Sequence, residues 1–402
     1  MTKDEKWFNK KMDRREFLKK AGIGGAGLAL GVSSASAFFA NQAKEDKKFA
    51  DGKEEISFYG EHQAGITTAM QKNIYFVILD LHTTDKETII QMFKDWTVYS
   101  EKLVNGELIK KDGSNALLPP TDTGETLGLN PYRLTLTFGV SASFLKKMGL
   151  EDKKPKEFRD LPPFPKEQLK EKYTGGDIVI QACADDEQVA FHAVRNLVRK
   201  ARNAVTMKWS QAGFAAIGDR MSTPRNLFGF KDGTANVTKE KDFDKVVWCD
   251  SKDWMKGGSY MAVRRIQMFL ETWDRTNLQE QENTFGRYKE SGAPFGKKNE
   301  FDEVDLDLLP VDAHVRLAKE VDKPLYRRSY SYSDGIDETT GQFDTGLLFI
   351  SFQKDPDSFI KVQTNLGAQD KMNEYVTHVG SGLFACFGGV KKGEYLGQKL
   401  FE

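Results

Sequence analysis

Along the chain the spacing of hydrophobic positions changes period several times, and each change predicts a new element. Residues 74–81 (IYFVILDL) form a nearly unbroken apolar run of strand length, the pattern of a strand covered on both faces. Met92, Phe93, Trp96, Tyr99 and Leu103 then recur at helical spacing. Residues 133–138 (RLTLTF) alternate strictly, which predicts a strand with one covered face. Residues 177–183 read as another short strand, Val189, Ala193 and Leu197 mark one face of a helix, and an apolar stretch at 214–217 closes the series. Strand, helix, strand, strand, helix, strand is the order of a ferredoxin-like unit, an antiparallel sheet with helices on one face. The second half follows a similar but fainter pattern, with 260–270, 346–353 and 383–387 reading as strands and 359–366 as a helix. The predicted class is α+β, two ferredoxin-like domains over 56–218 and 219–402. Residues 161–172 and 280–300 read as loops, and the second is long enough to suggest a functional role.

Composition adds bounds. The 402 residues suffice for two domains, and Lys plus Arg and Asp plus Glu both number 59. A net charge of zero argues against a whole-surface grip on nucleic acid, so no nucleic-acid partner is expected. Residues 1–40 depart from the rest: a lysine-rich start leads to Asp13-Arg14-Arg15-Glu16-Phe17-Leu18, a glycine-interrupted apolar run and Ala35-Ser36-Ala37. That layout resembles a twin-arginine export signal and predicts an extracytoplasmic protein. Cargo of that route travels folded, often with a cofactor inside, which raises the expectation of a bound redox group. Residues 41–55 are charged and read as a linker.

Candidate chemistry is sparse. Cys183, Cys249 and Cys386 are far apart and form no C-x-x-C, so they read as buried thiols. The chain carries no H-E-x-x-H, G-x-S-x-G or phosphate-loop pattern, which weakens zinc-hydrolase, serine-hydrolase and nucleotide readings. Of five histidines, His62, His82 and His192 read as structural. His378 has Glu374 four residues before it, a helical pair spacing. His314 lies in LPVDAHVRL, and Arg327-Arg328 follow thirteen residues later. The stretch GFKDGTANV (229–237) puts Asp232 on a bend between Gly229 and Gly233. By itself it reads first as an ordinary Asp-Gly turn, with a carboxylate leaning over a ligand as the alternative. Trp209, Trp248, Trp254 and Trp273, with Tyr326, Tyr330 and Tyr332, read first as packing.

Together, G-F-K-D-G-T-A-N, His314, Arg327, FYGEHQAGI at 58–66, RRIQMFLETWDR at 264–275, GAPFG at 292–296 and DTGLLFISFQ at 344–353 resemble the dye-decolorising peroxidases. The likeness is to their exported, iron-uptake-associated branch and runs from about Phe58 to the C-terminus. It implies one haem b per chain in the second domain, with His314 as axial iron ligand and Glu374 as the acid behind it. It also implies Asp232 and Arg327 as the pair meeting hydrogen peroxide, with Gly233, Thr234 and Ala235 small because the backbone passes the porphyrin. One-electron donors such as dyes, phenols or ferrous iron would be the reductants. A membrane iron-uptake complex is the implied partner, and an oligomer is compatible with it. Two other readings stay open: release of iron from haem, and a non-enzymatic exported carrier of haem or iron. The carrier needs no acid–arginine pair, so Asp232 and Arg327 favour the peroxidase. Ser329 stands where some relatives have asparagine, and Lys319-Glu320-Val321 departs from the Asn-Pro-Arg of many.

Overall fold

The computed structural model describes residues 52–110, 116–217 and 223–402. The export signal at 1–40, most of the linker and the expected domain boundary at 218/219 lie outside the described residues.

The first half is built on β1 (Asn73–Leu81), α1 (Lys86–Val104), β2 (Thr135–Val140), β3 (Ile178–Ala184), α2 (Glu187–Lys200) and β4 (Val205–Phe214). Its strands run antiparallel in the order β4-β1-β3-β2. Asp85 starts α1 by accepting the Thr88 N–H at 2.9 Å, an N-cap that satisfies one orphan donor of the first turn. The predicted helical faces are the buried ones: Ile89, Phe93 and Trp96 of α1 and Val189, Ala193 and Leu197 of α2 join Val77, Phe138 and Ile180 in one core. Trp96 crosses between the helices and donates Nε1–H to Leu197 O at 2.9 Å.

The second half holds β5 (Ser259–Met268), α3 (Leu278–Phe285), α4 (His314–Glu320), β6 (Tyr326–Arg327), β7 (Tyr330–Ile336), β8 (Phe343–Gln353), α5 (Pro356–Gln369) and β9 (Val376–Cys386). The order β9-β5-β8-β7 repeats the permutation of the first half. β6 and β7 are one strand in two pieces, both paired with β8. Short pairings of β2 with β9 and of β4 with β7 join the halves, so one sheet closes on itself around a shared interior.

That closure explains where the sequence pattern misleads. β2 alternates apolar and threonine residues, yet all six of its positions are buried. Thr137 donates to Ala64 O at 2.7 Å, and Thr135 accepts from Gln71 at 3.0 Å. Hydroxyls thus face a covering segment instead of water, each with a partner as burial demands. Residues 280–285, the start of the expected 280–300 loop, belong to helix α3, which is capped by Asn277. His378 lies on β9, so its spacing from Glu374 has no helical meaning. The three cysteines are free and buried, and Trp209, Trp248, Trp254 and Trp273 are buried too. Among the described residues no helix is long and apolar enough to cross a membrane.

Candidate active site

The bend that carries Asp232 is anchored by its aromatic neighbours. Phe228 stacks on Trp273 at 4.4 Å between ring centroids, and Phe230 stacks on Phe285 of α3 at 4.0 Å. With both rings pinned in a buried cluster, Gly229 (φ +83°) and Gly233 (φ +121°) turn the backbone through conformations that side-chain-bearing residues avoid. A Cβ at Gly233 would approach no protein atom closer than 3.7 Å, so its demand within the chain is conformational. The Asp232 N–H is fixed to Pro224 O at 2.8 Å.

Arg327 reaches the same place from β6. Its Nη1 lies 3.2 Å from Asp232 Oδ1, with both side chains part-buried. The strand's alternation sends the next residue the other way: Arg328 is buried in the interior, donating to Thr68 O and Gln71 Oε1. Only one of the paired arginines can therefore meet Asp232. Asn236 ties the two elements together, donating to Arg327 O at 2.6 Å and accepting the Arg327 N–H at 2.9 Å.

His314 opens α4. Its Nδ1 sits 2.6 Å from Asp370 Oδ2, and a carboxylate can only accept, so in the neutral ring Nδ1 carries the proton and Nε2 keeps its lone pair. Burial works against protonation of this imidazole, but the Asp370 carboxylate outweighs it and the pKa is raised. Here the structure corrects the expectation from sequence. The acid behind His314 is Asp370, which is buried, whereas Glu374 is exposed on the following turn. Both acids flank the same short turn, and helix α5 ends so that only the first faces α4. Lys371 N–H bonds Asp312 O at 3.0 Å and Asn365 Nδ2 bonds Leu317 O at 2.7 Å, which fixes that register.

A cavity of about 500 Å³ is lined by Asp232, Gly233, Thr234, Arg327 and Ser329, with Met70, Phe214, Phe243 and Leu347 among its apolar walls. Its size falls in the ordinary range for cofactor sites, ~300–1,000 Å³. Ala235 instead faces a neighbouring cavity of about 440 Å³, and Asn236, Val237 and Thr238 form the wall shared by the two. His314 is not part of either lining, but the charges of Asp232 and Arg327 both reach its ring. Ser329 Oγ is buried there with no hydrogen-bond partner, a polar atom left for something the protein itself does not supply. An imidazole with a free Nε2, an acid–guanidinium pair and an unpaired hydroxyl beside an apolar-walled cavity form a donor set that fits haem and a small peroxide. Among the described residues no cluster of three His, Cys, Asp or Glu could hold a bare metal ion.

Residues 63–215 match the Dyp-type peroxidase N-terminal family and residues 223–391 its C-terminal counterpart. The chain belongs to the Dyp-type peroxidase family. Among curated relatives of this Dyp-type chain, a deferrochelatase of Yersinia pestis is 38% identical over 371 residues, covering 86% of this chain and 84% of that protein. The deferrochelatase of Escherichia coli O157:H7 is 37% identical over 414 residues, 97% of each. A DyP-type peroxidase from Streptomyces coelicolor superposes with a TM-score of 0.82 at 36% identity, covering 88% of this chain and 99% of that one. Ferric DtpA from Streptomyces lividans gives 0.81 at 36% identity, over 88% and 98%.

Asp370, Asn236 and the aromatic anchors Phe228, Phe230, Trp273 and Phe285 are site-forming residues that sequence reasoning did not assign. Phe228 and Phe230 had a visible signal, two aromatics bracketing a glycine. Asp370 had none that would rank it above Glu374.

Proposed function

We propose that this Dyp-type peroxidase holds haem b through His314 Nε2 and reduces hydrogen peroxide with Asp232 and Arg327. The reading is carried by the Asp232–Arg327 pair at 3.2 Å on a cavity wall, whose charges act on the His314 ring that Asp370 holds. Haem bound there would supply the redox centre for reducing peroxide at the expense of one-electron donors. Asp232 takes the proton from the inner peroxide oxygen and returns it to the outer one, so the second leaves as water. Arg327 is a permanent cation beside the oxygen on which negative charge grows. Asp370 holds the Nδ1 proton, orients the ring and raises the basicity of Nε2. Asn236 keeps the acid and the arginine in register.

Removal of iron from haem with the ring intact is the second reading, favoured by the deferrochelatases to which the chain is 37–38% identical. Export by the twin-arginine route and delivery to a membrane iron-uptake complex complete the proposal, supported by Arg14-Arg15 and the run behind them. Replacing both arginines with lysine should leave the protein in the cytoplasm; unimpaired export of that variant overturns the twin-arginine route.

The test is an absorption spectrum of protein purified with haem available, before and after one equivalent of peroxide. A Soret band that shifts within the mixing time supports the peroxidase, and an unmoved band refutes it. His314→Ala should lose the band. Asp232→Ala should keep it and slow the shift by ~10²–10⁴-fold, the usual worth of a positioned acid–base group. Conversion of haem to iron-free porphyrin without peroxide would favour the second reading.

A further inference from the structure

Glu300 is a buried acid at the end of the 280–300 segment, far along the chain from the Asp232 bend. A buried carboxylate must be paired and hydrogen-bonded, and all three partners of this one come from the Asp232 loop. Thr234 Oγ1 donates to Oε1 at 2.8 Å, Thr223 Oγ1 donates to the same oxygen, and Lys231 Nζ pairs with Oε2. Thr223 stands at the loop's entry, and Lys231 and Thr234 flank the Asp232-Gly233 bend. Burial pushes the Glu300 pKa up, but the bonds from Lys231, Thr223 and Thr234 prevail and lower it, as fits a group acting as an anion.

The acid is itself held. Arg287, also buried, donates to Glu300 O at 2.9 Å and to Gly292 O. Gly292 (φ +74°) has no room for a side chain: a Cβ would lie 2.7 Å from Lys231 Cδ and 3.4 Å from Glu300 Cγ. A single antiparallel bridge between Arg225 and Lys231 closes the base of the bend.

From this geometry we infer that Glu300 is a positioning residue for Asp232: it grips the bend on both sides of the carboxylate and occupies the Lys231 ammonium. Without it, Lys231 is a part-buried cation one residue from Asp232 and free to compete with Arg327 for it. The inference rests on the peroxidase reading above, since it assigns Glu300 no contact with haem or peroxide.

The test uses Glu300→Ala and Glu300→Gln in the full chain, with two readouts. In the haem-free protein, hydrogen exchange of amides in 224–236 should speed up about tenfold in Glu300→Ala, the effect of lost bonds to a charged group, while β1 and β3 stay unchanged. Unchanged exchange in 224–236 overturns the inference. In the haem-loaded protein, haem content should persist and the peroxide step should slow by roughly 10²-fold, as for a displaced catalytic group. Glu300→Gln keeps an acceptor for the threonines but releases Lys231, and should fall between; it carries the test should the alanine variant fail to fold. Asp232→Ala/Glu300→Ala should be no slower than Asp232→Ala alone. An additive loss overturns the inference. If Asp232→Ala itself reacts at the unaltered rate, the acid–base role of Asp232 in the reading above fails, and the exchange measurement still decides whether Glu300 holds the bend.

Discussion

At the scale of single residues, the choice between two acids four positions apart is the sharpest point. Asp370 is buried and within hydrogen-bond distance of His314, and Glu374 is exposed. Asp370→Ala should therefore weaken haem binding by about 10–100-fold, the usual cost of losing a partner behind a metal-ligating histidine, while Glu374→Ala should bind as before. Titration of the haem-free protein with haem, followed at the Soret band, measures both. Equal losses in the two variants would count against the Asp370 assignment. Arg327 and Arg328 are a similar case. The sequence presents a pair, and strand alternation sends one to the cavity and one to the interior. Arg328→Ala should cost stability, leaving the buried Gln71 Oε1 without its donor, and Arg327→Ala should cost chemistry with little change in melting temperature.

At the scale of elements, the bend at 229–233 works because its flanks are pinned and its glycines take up the turn. Gly233→Ala forces a side chain into φ +121°, which should lower stability by roughly 1–3 kcal/mol and slow the peroxide step. Calorimetry together with stopped-flow absorbance distinguishes a strained bend from a lost fold. The α5-to-turn junction matters in the same way, since it decides which acid faces α4. On β2 the hydroxyls that alternate with apolar residues are interior hydrogen-bonding groups. Thr137→Val removes the donor to Ala64 O and should destabilise by about 1–3 kcal/mol, the cost of an unmade buried bond.

At the scale of the whole molecule, acid stability depends on groups far from the cavity. Glu125 is pushed up by burial, but Thr123, His192 and Arg195 pull it down to about 2 from an ordinary 4.5. A depressed carboxylate contributes stability that is complete above its unfolded value and lost as pH falls through its folded one. The contribution should therefore fade between pH 4.5 and about 2. Glu125→Gln should flatten the melting temperature over that window; a curve parallel to that of the unaltered protein would show that other carboxylates govern it. The closed sheet predicts cooperative behaviour as well, because β2–β9 and β4–β7 make each half an edge of the other.

Much was legible in the chain before it was folded. Runs such as 74–81 and the helical faces of α1 and α2 declare themselves, because burial of apolar side chains imposes the period of the element that buries them. The bend at Asp232 and the lone histidine at 314 are equally visible as candidate chemistry. What the sequence could not carry is distance between segments far apart in order. That Asp370 and not Glu374 meets His314 follows from the end point of one helix, that β2 has no solvent face from closure of one sheet, and that Glu300 reaches back to Lys231 and Thr234 from the packing of two loops. Those are consequences of packing many elements together. Local propensity and spacing describe neighbours along the chain, and only the tertiary structure decides neighbours in space.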